Sequence, residues 1–107
     1  MADISGTLSM ARKAGKLVLG MDEVKNACKG RRACGVIVAS DLSPKSLKEI
    51  KYVCATEETI LYGSDMTMDD VGACLGKVYG IIAVTDKGFM KSMAKKLKEI
   101  SLDDVDF

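Results

Sequence analysis

The sequence predicts an α/β protein, a three-layer α/β/α sandwich around a small mixed sheet of about four strands. Three observations carry that expectation. Two short runs, Cys34–Ala39 and Ile81–Val84, are apolar without interruption, as strands covered on both faces are. Apolar residues at helical spacing recur on either side of them, so helices alternate with strands. Helix punctuation is also clear: Gly15, Gly30 and Gly76 each follow a helical pattern, and Ser43-Pro44 opens one.

Taken in order, Ile4, Leu8 and Ala11 place an amphipathic helix over residues 3–14, with Arg12 and Lys13 near its end. Leu17–Leu19 reads as a strand, and a second helix over about 21–30 turns Val24, Ala27 and Cys28 inward. Arg31-Arg32 is an exposed turn before the central Cys34–Ala39 strand. Ser43 as N-cap and Pro44 at the first helical position start a third helix, with Leu47, Ile50 and Cys54 on its inner face, to about Thr56. Thr59–Tyr62 is β-prone, and Thr67 with Asp70 resembles a capping box for a short fourth helix carrying Val71, Cys74 and Leu75. Lys77–Gly80 is a loop into the Ile81–Val84 strand, and Thr85/Asp86 cap a last helix with Phe89, Met93, Leu97 and Ile100 inward. A single domain over residues 1–100 and an acidic tail over 101–107 are the expected organisation.

Composition narrows the function. The chain has 107 residues and no His, which removes Ser–His, Cys–His and His–metal chemistry. No pair among its Cys, Asp, Glu, Lys and Tyr residues is placed for catalysis, and the segment 63–67 is too short for a phosphate loop. Cys28, Cys34, Cys54 and Cys74 form no CxxC pair and no zinc spacing, and each falls within an apolar pattern, so buried free thiols are expected. We therefore expect no enzyme, no metal, no cofactor and no small-molecule substrate. The first residues lack the basic and apolar regions of a signal peptide, and no apolar run approaches a membrane span, so a soluble, cytoplasmic protein is expected.

Net charge is only +1, but residues 1–52 carry +5 and residues 53–107 carry −4. Two readings fit: one phosphate-facing side, or charges scattered over a solvated surface. The start of the second helix, Gly20, Met21, Asp22 and Glu23, likewise fits two readings. Its acids can complement the helix dipole, or they can accept from base edges with Lys13, Lys16, Lys25 and Lys29 nearby for phosphates.

Four segments in register bear on the choice. The run Leu8–Gly20 (LSMARKAGKLVLG) resembles the opening signature of the YlxQ-like bacterial members of the ribosomal protein L-seven-Ae / L-thirty-e superfamily. Ala39–Pro44, Val71-Gly72 through Gly76-Lys77, and Ala83–Phe89 resemble further segments of it in the same order, over about residues 5–98. The resemblance implies an α/β/α sandwich and non-catalytic binding of structured RNA at kink-turns, with ribosomal RNA or a regulatory leader as candidates and neither DNA nor a membrane as partner.

Carried onto this chain, the resemblance makes Gly20 the tight-approach glycine beside Met21, and Asp22–Glu23 the pair that reads sheared G·A base pairs. Glu23 can accept from the N1 and N2 groups of a guanine. Lys77, Val78, Tyr79 and Gly80 take the place of the loop that packs on bulged nucleotides, where Tyr79 can stack on a base. The alternative is that Val78 and Tyr79 simply open the last strand. Lys13, Lys16, Lys25, Lys29, Arg31 and Arg32 would supply the salt-dependent backbone contacts. This chain departs from the family pattern twice. Asn26 stands where a helix lysine is usual, with Lys25 about 100° away around the helix. Asp22, which can only accept, replaces an amide that can also donate. Both departures predict weaker or altered RNA binding, and they leave a protein-interaction module on the same fold as the competing expectation.

Overall fold

The two uninterrupted apolar runs become the two central strands. The structure, a computed structural model, describes residues 4–102. Its elements run α1 (Ser5–Lys13), β1 (Leu17–Leu19), α2 (Met21–Lys29), β2 (Gly35–Val38), α3 (Pro44–Thr56), β3 (Leu61–Gly63), α4 (Met68–Leu75), β4 (Ile81–Val84), α5 (Lys87–Ala94) and β5 (Lys98–Glu99). The sheet order is β1-β4-β2-β3-β5. β4 is antiparallel to both β1 and β2, β3 is parallel to β2, and β5 closes the far edge antiparallel to β3.

Because side chains alternate across a strand, each central strand feeds two cores. Val36 and Val38 of β2, with Ile81 and Ala83 of β4, pack against Val24, Ala27 and Cys28 of α2 and Ile50, Val53 and Cys54 of α3. Ile37, Ile82 and Val84 face the other way, onto Leu8 of α1, Val71 and Leu75 of α4, and Met90 and Met93 of α5. The register Val36↔Ala83 and Ile37↔Ile82 keeps both faces in phase. This is the expected three-layer sandwich, with α2 and α3 on one side and α1, α4 and α5 on the other.

The local signals act as the sequence suggests. Ser43 Oγ accepts from the Ser46 N–H, with Pro44 at the first turn of α3. Thr67 and Asp70 form a reciprocal capping box, at 3.1 Å and 2.9 Å. The chain after α5 does not. Helical spacing predicts one helix through Ile100, but α5 ends at Ala94 and Lys98–Glu99 forms a fifth strand. Leu97 packs into the α1/α4/α5 core and Ile100 into the α2/α3 core, so the pair straddles the sheet. The outer edge of β3 has backbone groups that need partners; Ile100 N–H donates to the Leu61 carbonyl at 2.8 Å, and this pairing overrides the helical spacing.

Leu102 also packs against the α2/α3 core, beyond the point where the tail was expected to begin; the acids Asp103, Asp104 and Asp106 lie outside the described residues. All four cysteines are free, but only Cys28 and Cys54 are buried, while Cys34 and Cys74 are partly accessible. Cys54 hydrogen-bonds to Cys28 and is desolvated, and both effects push its thiol pKa up. It is an inert core thiol.

Candidate nucleic-acid interface

The candidate interface grows out of one backbone turn. Gly20 follows β1 and precedes α2, with φ 92° and ψ 154°, a combination only glycine adopts readily. Its N–H donates to the Ile81 carbonyl at 3.1 Å, extending the sheet, and its carbonyl accepts from Val24 at 2.9 Å, opening the helix. A Cβ placed on Gly20 would meet nothing within 4 Å, so the turn needs glycine for its backbone angles and leaves an open approach above them. Gly20 at the N-cap supplies no side-chain cap, so the positive end of the α2 dipole faces that opening beside Asp22 and Glu23, both exposed. Met21 is half-buried and packs on the α2/α3 core as an anchor for the turn.

The hydrogen bond to Ile81 ties the Gly20 turn to the first residue of the strand that follows the Lys77–Gly80 loop. Gly76 ends α4 in the left-handed conformation, its N–H on the Gly72 carbonyl at 2.8 Å. Val78 then crosses Gly72, where an added Cβ would lie 3.0 Å from Val78 Cγ2. Gly80 is equally tight: a Cβ there would fall 2.6 Å from Leu42 Cδ1 and 3.0 Å from Met68 Sδ. Its carbonyl accepts from the Ala39 N–H at 2.9 Å, and Asp41 Oδ1 accepts from the Met68 N–H at 2.8 Å. The loops after β1, β2 and β3 and before β4 are thus stitched together at one end of the sheet. Of the buttress Asp41, Leu42 and Met68, the first two lie within the Ala39–Pro44 motif, and no local sequence signal joins Met68 to them.

Within the loop, Val78 is 59% exposed, whereas Tyr79 is half-buried against the α1/α4/α5 core. The most exposed side chain at the tip is therefore the valine, while part of Tyr79 packs on that core.

The basic residues are not gathered at this end. Thr85 N–H donates to the Lys16 carbonyl, and Cys34 N–H to the Val84 carbonyl, which fixes Lys13, Lys16, Arg31 and Arg32 near the opposite end of the sheet. Arg31 has φ 60°, and its Nη1 donates to the Glu57 carbonyl at 3.3 Å. Lys29 closes α2, roughly 13 Å from its start at 1.5 Å per residue over nine residues. Lys25 is turned toward α3, where its Nζ forms an ion pair with Glu49. Asn26 is exposed and shares a stripe with Asp22, Glu23 and Lys29. The exposed face of α2 thus reads acceptors first, then an amide, then a cation.

The Gly20 turn, the α2 start and the loop bearing exposed Val78 make up the candidate interface, and comparison with known proteins supplies the family. Residues 2–94 match the model of the ribosomal protein L7Ae/L30e/S12e/Gadd45 family, and the chain belongs to that family. The L7Ae proteins are generally non-catalytic and bind structured RNA. Among solved structures, a protein of unknown function from Bacillus halodurans is similar in fold: TM-score 0.81 at 24% identity, covering 89% of this chain and 96% of that one.

Proposed function

We propose that this protein is a cytoplasmic, YlxQ-like bacterial RNA-binding protein that recognises kink-turn RNA, with ribosomal or regulatory RNA as its target. The observation that supports the reading is the Gly20–Ile81 hydrogen bond, which ties the turn before Asp22–Glu23 to the strand that follows the loop of exposed Val78. In this reading the α2 start enters the groove at the bend and Glu23 accepts from the exposed edge of a guanine in a sheared G·A pair. Val78 covers a bulged nucleotide, and the backbone runs along α2 toward Lys29, where charge alone holds it.

The test is a titration against a kink-turn RNA and a control with its G·A pairs changed to Watson–Crick pairs, at low and near-physiological salt. Preference for the kinked RNA that persists at the higher salt is expected. Equal binding that salt erases removes the specific reading.

One observation favours a protein-interaction module instead. The Lys25–Glu49 ion pair occupies a cation that stands beside the family's usual helix lysine, so the α2 midpoint offers RNA little free charge. Absence of binding to either RNA, with a protein partner retained in a pull-down, would select that alternative.

A further inference from the structure

A second surface lies beside the α2 start. α2 and α3 run over the same core, and a groove of about 550 Å³ opens between them. Lys25 and Lys29 line its α2 rim, while Lys45, Lys48 and Tyr52 line its α3 rim and Val53 its floor. On α3 the residues 45, 48 and 52 fall at i, i+3 and i+7, one stripe of the helix.

The composition of that stripe is unusual for its place. The first turn of α3 contains no acid and carries Lys45, although a helix N-terminus disfavours cations. Lys29, Lys45 and Lys48 have no ion-pair partner among the described residues. Glu49 is held by Lys25, which leaves Glu57 as the acid on the lining without an ion pair among the described residues. Between the lysines Tyr52 is 47% exposed, a large aromatic surface at the mouth of the groove. Cations on both rims around an exposed ring suit a polyanion that carries flat apolar groups: phosphates for the lysines and a base for the ring.

We propose that the α2–α3 groove binds a single-stranded RNA segment, with phosphates on Lys29, Lys45 and Lys48 and one base stacked on Tyr52. The polymer's identity rests on the RNA reading above, and the surface is continuous with it. Lys29 lies six residues beyond Glu23, about 9 Å along the helix, so a strand leaving an RNA docked at the α2 start is delivered to the groove.

Two titrations of the full chain test this separately from kink-turn recognition. The first uses labelled octauridylate, with a decaglutamate peptide as the competing polyanion. Wild type is expected to prefer the oligonucleotide. In a K45A/K48A double variant the slope of log affinity on log salt should shrink by about 1.4, as two single-strand phosphate contacts are lost. Tyr52→Ala should weaken binding about tenfold, and Tyr52→Phe should retain it. The second compares a kink-turn RNA with and without an eight-uridine overhang. The overhang should tighten binding to wild type and do nothing for K45A/K48A.

Octauridylate affinity indifferent to these variants, or tighter binding of decaglutamate, overturns the proposal even when the kink-turn itself is recognised. Variant-sensitive octauridylate binding without kink-turn preference sustains it while removing the kink-turn reading.

Discussion

Gly20 holds φ 92° and ψ 154° with open space where a side chain would stand. An alanine there meets no neighbour and still strains the backbone, so Gly20→Ala should lower unfolding free energy by about 1–3 kcal/mol, measured in urea. A smaller loss would mean the turn relaxes, and the α2 start with it. At Glu23 the expected effect is on recognition: Glu23→Ala should abolish discrimination between kink-turn and Watson–Crick RNA while leaving salt-dependent background binding. Full discrimination in that variant removes the glutamate from the reading pair. For Lys25 the structure alters the expectation from sequence. Paired with Glu49, it has little free charge to lose, so Lys25→Ala should change the salt slope less than Lys29→Ala does. Glu49→Gln, which frees the ammonium, should raise affinity for all RNAs. The sequence placed these residues on one helix start but could not show Lys25 turning toward α3, because Glu49 lies 24 positions away. The same limit applies to the loop, where aromatic character favoured Tyr79 although packing leaves Val78 outside.

At the scale of elements, legibility followed the locality of the signal. The Thr67–Asp70 box is contained in four residues, and it forms with both reciprocal bonds. Thr67→Ala should therefore cost about 1 kcal/mol, seen as a lower urea midpoint with an unchanged m-value. The effect reaches the interface, because Met68 follows the cap and packs under Gly80. The uninterrupted strands β2 and β4 were legible for a related reason: burial on both faces leaves no polar position in either. β5 was not legible. Leu97 and Ile100 fit the spacing of α5 as well as they fit a strand, and the deciding term is the unpaired edge of β3, more than 30 residues upstream. Spacing alone cannot weigh a partner that only the assembled sheet supplies.

For the whole molecule, one thin sheet separates two cores, and the proposed interface draws on both. α2 stands on the first core, while the 77–80 loop is carried by α4, which stands on the second. If the sheet makes the two cores one cooperative unit, damage in one must be felt in the other. Leu8 is wholly buried in the second core, and Leu8→Ala should cost about 2–5 kcal/mol. Cys54 is wholly buried in the first and reports the far side of the sheet. In wild type a thiol reagent should modify Cys34 and Cys74 first, because Cys28 and Cys54 react only when the core opens. When opening is global, its free energy is the stability of the fold, and the rate at Cys54 follows the equilibrium population of the open state. Leu8→Ala should then accelerate labelling of Cys54 at least about 30-fold, since every 1.4 kcal/mol is a factor of ten. An unchanged rate at Cys54 beside a lowered stability would show that α1, α4 and α5 open alone. The apolar loop would then detach from the sheet while the α2 start stayed folded, and the two halves of the interface would be separable in solution.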